Sequence, residues 1–157
     1  MAKAEQADPG IHATIDGVAH KSEVQSDSRQ ISDIIREHFP NDHTMLAIAK
    51  AESGLNPECQ SNTDKLSDGR PFSIGLFQIN LTVSEINGVN CSKAFRGINY
   101  DAVVIDEQLF EKCVNLAKNP LFNIKSAKDK YQNRVNRGLD GRGAWGAFTN
   151  KAYLSHL

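Results

Sequence analysis

Glu52 is the side chain in this sequence whose surroundings best suit it to donate a proton. It falls in the last turn of a segment in which Met45, Ile48 and other apolar residues recur at helical spacing, before Gly54 offers a left-handed terminus. The partial negative charge at a helix C-terminus and apolar neighbours both disfavour an ionised carboxyl group, so they raise its pKa. Such a group can act as a general acid, as the cleavage of a glycosidic bond requires. The alternative is a solvent-facing glutamate that ends a helix.

Two further segments carry polar or aromatic side chains within apolar surroundings. Residues 73–80 read Ser-Ile-Gly-Leu-Phe-Gln-Ile-Asn, an apolar run with the amide of Gln78 inside it. A buried amide must find partners, so Gln78 and Asn80 either point toward a ligand or fix a loop by hydrogen bonding. Near the C-terminus, Trp145 and Phe148 lie in a short apolar segment that fits either an ordinary core or the wall of a cleft.

Residues 56–72 are dense in Asn, Asp, Ser, Pro and Gly, which predicts a surface loop or a small β-hairpin. Asp64 and Asp68 in this loop are either turn residues or a second carboxylate for acid–base chemistry. The stretch is similar to a calcium loop but lacks the alternating oxygen ligands and the closing glutamate. The histidines form no pair at metal-ligand spacing, and Cys59 has no cysteine near enough for a zinc half-site. We therefore expect no metal and no cofactor.

A mainly helical chain must position these residues. Apolar periodicity predicts a first helix from near Ser28 to Pro40, a second from Asp42 to Gly54, and later ones around 109–116, 121–138 and 145–148. With about five or six helices and one irregular insertion, the predicted class is mainly α, of the α+β kind. The insertion, a small loop or β-hairpin, would flank a cleft.

Length and composition indicate one globular domain. The 157 residues hold enough material for one core, which we place at 28–157, and residues 1–27 lack a periodic apolar face and are predicted to form a flexible tail or linker. Lys and Arg number 18 against 19 Asp and Glu, so no net charge favours nucleic acid or an anionic membrane. The longest apolar stretches are far too short to span a bilayer, no signal peptide is visible, and we expect a monomer.

Three cysteines, Cys59, Cys91 and Cys113, allow one disulfide and leave one thiol. The chain between Cys91 and Cys113 has a length that suits a loop folded back on a helix, so a bridge between these two cysteines is one of two open predictions. Three buried thiols remain the alternative, because connectivity does not follow from sequence alone.

The order of these segments resembles the lysozyme superfamily, which includes animal lysozymes and bacterial lytic transglycosylases. The resemblance is carried by Glu-Ser-Gly-Leu-Asn-Pro at 52–57, Gly-Leu-Phe-Gln-Ile-Asn at 75–80 and Trp-Gly-Ala-Phe-Thr-Asn-Lys at 145–151, and it covers about residues 30–155. It implies a lysozyme-like fold with Glu52 as the acid and with Trp145 packed against it, which would raise the pKa of Glu52. The implied substrate-binding residues are Gln78, Asn80, Trp145, Phe148, Asn150 and Tyr153.

The second carboxylate is where this sequence departs from the c-type lysozymes. Their aspartate two residues before the motif glycine is replaced by Ser73, which resembles the serine near this place in lytic transglycosylases. Goose-type lysozymes instead use a loop aspartate, for which Asp68 or Asp64 would serve. Phe148 and Lys151 stand where many transglycosylases have tyrosine and glycine, which weakens that assignment.

The resemblance implies cleavage of the β-1,4 bond between N-acetylmuramic acid and N-acetylglucosamine in peptidoglycan, with Glu52 as acid and base. Lytic transglycosylation is preferred because of Ser73, and hydrolysis with Asp68 or Asp64 is the alternative. A non-catalytic glycan-binding module is the third reading. Peptidoglycan strands would be the partner, and the protein would work outside the cytoplasm, in the periplasm or at the cell wall.

Overall fold

The computed structural model of the protein describes residues 30–157, so the predicted tail over 1–27 and the predicted helix start near Ser28 lie outside it. In this part the chain forms five α-helices and three small antiparallel sheets, which confirms the mainly helical α+β class. The helices are α1 over 30–38, α2 (Thr44–Ser53), α3 (Glu107–Lys118), α4 (Pro120–Asn136) and α5 (Gly146–Thr149). None of these helices is long and apolar enough to cross a membrane.

Local capping chemistry explains where the helices begin and end. The carboxylate of Asp42 accepts a hydrogen bond from the first amide of α2, 3.1 Å away. Gly54 ends that helix with φ 64°, a left-handed conformation that glycine adopts without steric cost. Asp106 and Asn119 cap α3 and α4 through their side-chain oxygens, and Pro120 occupies the first turn of α4. Within residues 30–157, each segment predicted to be helical contains a helix.

The β part of the fold consists of three hairpins, each built from two strands of two residues. The strands pair as β1 (Ser73–Ile74) with β2 (Ile79–Asn80), β3 (Glu85–Ile86) with β4 (Val89–Asn90), and β5 (Phe95–Arg96) with β6 (Val103–Val104). The loop over 56–72 folds back on itself, with a β-bridge between Lys65 and Pro71. Sequence patterns predicted this loop but neither of the hairpins formed by β3 to β6, because two-residue strands are too short to give an alternating pattern.

One disulfide joins the β part to the helices. Cys91, in the 3₁₀ turn that follows β4, is bonded to Cys113 of α3 with their Cα atoms 5.8 Å apart. Both residues are fully buried. Cys59 is the free cysteine, so the prediction of a bridge is confirmed and the alternative of three thiols is wrong.

The loop between β1 and β2 is fastened to the helices by the fully buried amide of Asn123 on α4. Its Oδ1 accepts from the Phe77 N–H at 2.9 Å, and its Nδ2 donates to the carbonyls of Ile74 and Ala117 at 3.0 and 2.8 Å. Gly75 allows this approach, since a Cβ there would lie 2.3 Å from both the Asn123 amide and the Ala117 carbonyl. The position of the loop therefore depends on one polar side chain inside an apolar core.

Replacing Asn123 with leucine should destabilise the protein by about 3 kcal/mol or more, because three buried backbone groups would lose their partner at roughly 1–3 kcal/mol each. Urea denaturation measures this change. Asn133→Leu, on an exposed position of the same helix, is the matched control and should change stability by less than about 0.5 kcal/mol. Equal stability of the two variants would contradict this account of the loop.

Candidate active site

Glu52 occupies the last turn of α2 with a half-buried carboxyl group, as the sequence predicted. Its Oε1 accepts a hydrogen bond from the backbone N–H of Ala147, 3.3 Å away in α5. Burial raises the pKa of Glu52, the Ala147 N–H lowers it by a smaller amount, and the negative charge of Asp64 raises it further. The result is a carboxyl group that keeps its proton at a higher pH than an ordinary glutamate does.

The carboxylate of Asp64 is held by two hydroxyl groups. Ser73 donates to its Oδ2 at 2.8 Å, and the phenol of Tyr100 donates to its Oδ1 at 2.9 Å. The Ser73 hydroxyl donates its hydrogen bond to Asp64, and the Ser73 side chain is buried. Ser73 therefore holds the Asp64 carboxylate in place. Ser73 and Asp64, which sequence reasoning treated as alternatives, therefore belong to one hydrogen-bonded unit beside Glu52.

Asp68 lies in a different electrostatic environment. Its carboxylate pairs with Arg70 at 2.8 Å, and Arg70 also contacts Glu107 at 2.6 Å. The guanidinium of Arg70 lowers the pKa of Asp68, and Asp68 is not among the groups that shift the pKa of Glu52. Of the two aspartates proposed from sequence, Asp64 is the one whose charge acts on Glu52. The catalytic role of either aspartate stays a prediction.

Gln78 and Asn80 brace the loops around the site. The Gln78 amide donates to the carbonyls of Cys59 and Gly75 at 3.2 and 3.0 Å, and Gln78 itself takes φ 47°. The Asn80 amide donates to Asn99 at 2.7 Å, and its oxygen caps the turn that follows β2. The sequence predicted that each amide either contacts a ligand or fixes a loop. In the structure, Gln78 and Asn80 each fix a loop.

Trp145 holds the C-terminal segment against the β1–β2 loop. Its ring is buried, its indole N–H donates to the Phe77 carbonyl at 2.9 Å, and the two rings lie 5.5 Å apart. Trp145 immediately precedes α5, so it fixes the helix whose Ala147 amide reaches Glu52. It therefore acts on the acid through the backbone that follows it.

The remaining predicted residues lie in α5, where Phe148 is, or just after it, where Asn150 and Tyr153 are. Phe148 stacks on Tyr153 with the ring centroids 5.2 Å apart, and the Arg142 guanidinium lies 4.8 Å from the centre of the Phe148 ring. Asn150 is exposed, and its side-chain oxygen accepts from the Ala152 N–H at 2.8 Å, which fixes the last turn of the chain.

Sequence reasoning missed three contributors to this site. Tyr100, which supports Asp64, lies in a turn between β5 and β6 that no pattern predicted. Ala147 contributes only its backbone amide, which composition cannot reveal. Cys59 is close enough for the charge of Glu52 to raise the pKa of its thiol, together with the larger effect of burial.

A groove of about 570 Å³ lies between the β hairpins and α4. Gln78, Asn80 and Trp145 contribute to its lining, together with charged residues of α4, so it shares residues with the loops that surround the acid. Its size falls within the usual range of ligand sites. In residues 30–157 no cluster of three or more His, Cys, Asp or Glu side chains could hold a metal ion.

Comparisons with protein-family models, curated proteins and solved structures give no match to this chain. What the site can do chemically therefore follows from its own side chains. A half-buried acid with a raised pKa, a second carboxylate close enough to influence it, and a groove that shares Gln78 and Trp145 with the surrounding loops constitute a candidate site for acid–base chemistry.

Replacing Asp64 with asparagine should lower the pKa of Glu52, since it removes a negative charge that opposes ionisation. Asn can accept from one of the two hydroxyl groups through its oxygen and donate to the oxygen of the other through its NH2 group, so the loop should keep its structure. NMR titration of the Glu52 carboxyl carbon measures the pKa without any assumption about activity. Asp68→Asn is the matched control, and it should leave this pKa unchanged because Arg70 already compensates Asp68. A larger shift in the control would reverse the assignment of the two aspartates.

Proposed function

We propose that the protein cleaves the β-1,4 glycosidic bond between N-acetylmuramic acid and N-acetylglucosamine in peptidoglycan, with Glu52 as the general acid and base. The observation that carries this proposal is the half-buried Glu52 carboxyl group, whose pKa is raised by burial and by Asp64. Such a group is what a glycosidic leaving oxygen needs as proton donor. The three motifs that resemble those of lysozymes and lytic transglycosylases support the choice of substrate.

Lytic transglycosylation is the first form of the proposed reaction. Protonated Glu52 gives its proton to the bridging oxygen as the glycosidic bond breaks, and positive charge develops on the muramic acid ring. Glu52 is then ionised and can accept the proton of the sugar's own C6 hydroxyl, whose oxygen closes a 1,6-anhydro ring. The acid regains its proton, and no water is consumed. Ser73, at the position of the c-type aspartate, favours this route because it cannot act as a nucleophile there.

Hydrolysis is a second candidate, and the position of Asp64 favours it. Asp64 influences Glu52 electrostatically and uses only hydroxyl partners, so its negative charge is not neutralised by a cation. A carboxylate of this kind can activate a water molecule or stabilise the positive charge on the sugar ring. The products would then carry ordinary reducing ends.

The proposed setting is outside the cytoplasm, where peptidoglycan lies. The Cys91–Cys113 disulfide supports this setting, since such bonds persist mainly in oxidising compartments. A non-catalytic glycan-binding module would also fit the groove. The raised pKa of Glu52 argues against such a module, because a protein that only binds a glycan does not need a carboxyl group with a raised pKa.

Glu52→Gln should lower the release of soluble fragments from purified sacculi by about 10²-fold or more, because the amide cannot donate the proton. The matched control is Glu58→Gln, which changes an exposed glutamate in the adjacent loop and should retain full activity. Circular dichroism should give both variants the fold of the parent. Full activity in Glu52→Gln would exclude Glu52 as the acid, and an inactive parent protein would favour the binding module.

Mass spectrometry of the released fragments separates the two reactions, because anhydro ends and reducing ends differ by one water. With transglycosylation we expect anhydro products, and Asp64→Asn should keep them while reducing the rate by less than about tenfold. With hydrolysis, Asp64→Asn should cost roughly 10²-fold or more. Asp68→Asn should have little effect in either case, since its charge is paired with Arg70.

A further inference from the structure

One face of α4 lines the groove with cationic side chains. Ser126, Lys130, Arg134 and Arg137 follow one another at intervals of four, four and three positions, which puts them on a single helical stripe. Glu85 and Asp129 line the groove as well, but neither forms an ion pair with these three cations. The α4 wall of the groove therefore carries three cations and one carboxylate, that of Asp129, and these cations form no ion pair with the carboxylates of the groove.

Lys130 differs from the other two cations of the stripe. Arg134 donates to the Asp140 carbonyl at 2.8 Å, and Arg137 reaches the side chain of Asn133 at 3.4 Å. Lys130 has no hydrogen-bond or ion-pair partner among residues 30–157. It is half-buried, and burial lowers its pKa with no opposing effect from a carboxylate. The fold thus keeps a partly desolvated ammonium group without the partner that would offset its desolvation.

Helix electrostatics alone do not account for this lysine. Cations are favourable near the C-terminal end of a helix. Arg134 lies in the last turn of α4, and Arg137 directly follows that helix. That effect fades within one turn, and Lys130 lies well before the end of α4 at Asn136. An anion that enters the groove would supply the missing partner.

We propose that this groove binds a carboxylate of an acidic glycan, with Lys130 as the residue that pairs with it. The inference rests on the proposed function, because the groove is lined by Gln78, Asn80 and Trp145, the residues that the resemblance assigns to substrate binding. In peptidoglycan the lactyl carboxyl group of muramic acid is amide-linked to a peptide stem, and this stem carries free carboxylates. Chitin oligosaccharides have the same β-1,4 linkage and N-acetyl groups but no carboxylate. Lys130 would therefore distinguish the acidic glycan from the neutral one.

Binding to the full-length Glu52→Gln variant tests this inference without turnover. The probes are a tetrasaccharide of alternating N-acetylglucosamine and peptide-bearing N-acetylmuramic acid, and chitotetraose as its neutral counterpart, each titrated by calorimetry. Adding Lys130→Gln should weaken binding of the acidic tetrasaccharide about tenfold and leave chitotetraose within about twofold, as loss of one charged hydrogen bond predicts. Lys130→Arg should restore most of the preference, and added salt should reduce it.

Lys128→Gln is the matched control, since Lys128 is an exposed lysine of the same helix that faces a separate depression beside α1. It should leave both affinities unchanged. Lys130→Gln removes a charge that burial disfavours, so its melting temperature should equal or exceed that of the parent. Equal affinity of the Lys130→Gln variant and its parent for the acidic glycan would overturn the inference. Loss of the proposed function would appear separately, as a parent protein that binds the acidic glycan but releases nothing from sacculi.

Discussion

The buried amide of Asn123 is the contact on which the geometry of the site depends. It is the only side chain among residues 30–157 that joins the β1–β2 loop to both α3 and α4 by hydrogen bonds, through Phe77, Ile74 and Ala117. A buried amide with satisfied partners fixes position more strictly than an apolar contact, because hydrogen bonds tolerate little displacement. Gly75 makes the contact possible, since any larger residue would occupy the space of the amide.

Fixing this loop also fixes the groups around Glu52. The carbonyl of Phe77 receives the Trp145 indole, and the backbone after Trp145 delivers the Ala147 amide to the acid. On the other side, Gln78 ties the loop to the segment that contains Cys59, next to Glu52. Glu52 is thus surrounded by elements that Asn123 holds in place through the β1–β2 loop. Their packing buries the Glu52 carboxyl group, and this burial raises its pKa.

The sequence was informative where the chemistry is local. Capping residues and apolar spacing predicted α2 and its terminus at Gly54, and therefore placed Glu52 correctly. It was uninformative where contacts join distant segments, as between Tyr100 and Asp64 or between Asn123 and Phe77. Helix capping depends on neighbours within four residues, whereas these contacts depend on how separate elements pack. For the same reason the spacing of Asp64 and Asp68 could not reveal which one influences Glu52.

The two aspartates of one loop differ because their partners differ. The Asp68 carboxylate is paired with the Arg70 guanidinium, which also contacts Glu107, and Asp68 is not among the groups that shift the pKa of Glu52. Hydroxyl donors to Asp64 orient the carboxylate and stabilise its charge, but they carry no compensating positive charge, so its field extends to Glu52. The negative charge of Asp64 thereby adds to the effect of burial, and both raise the pKa of Glu52. Ser73 contributes by holding the Asp64 carboxylate in place, although it carries no charge itself.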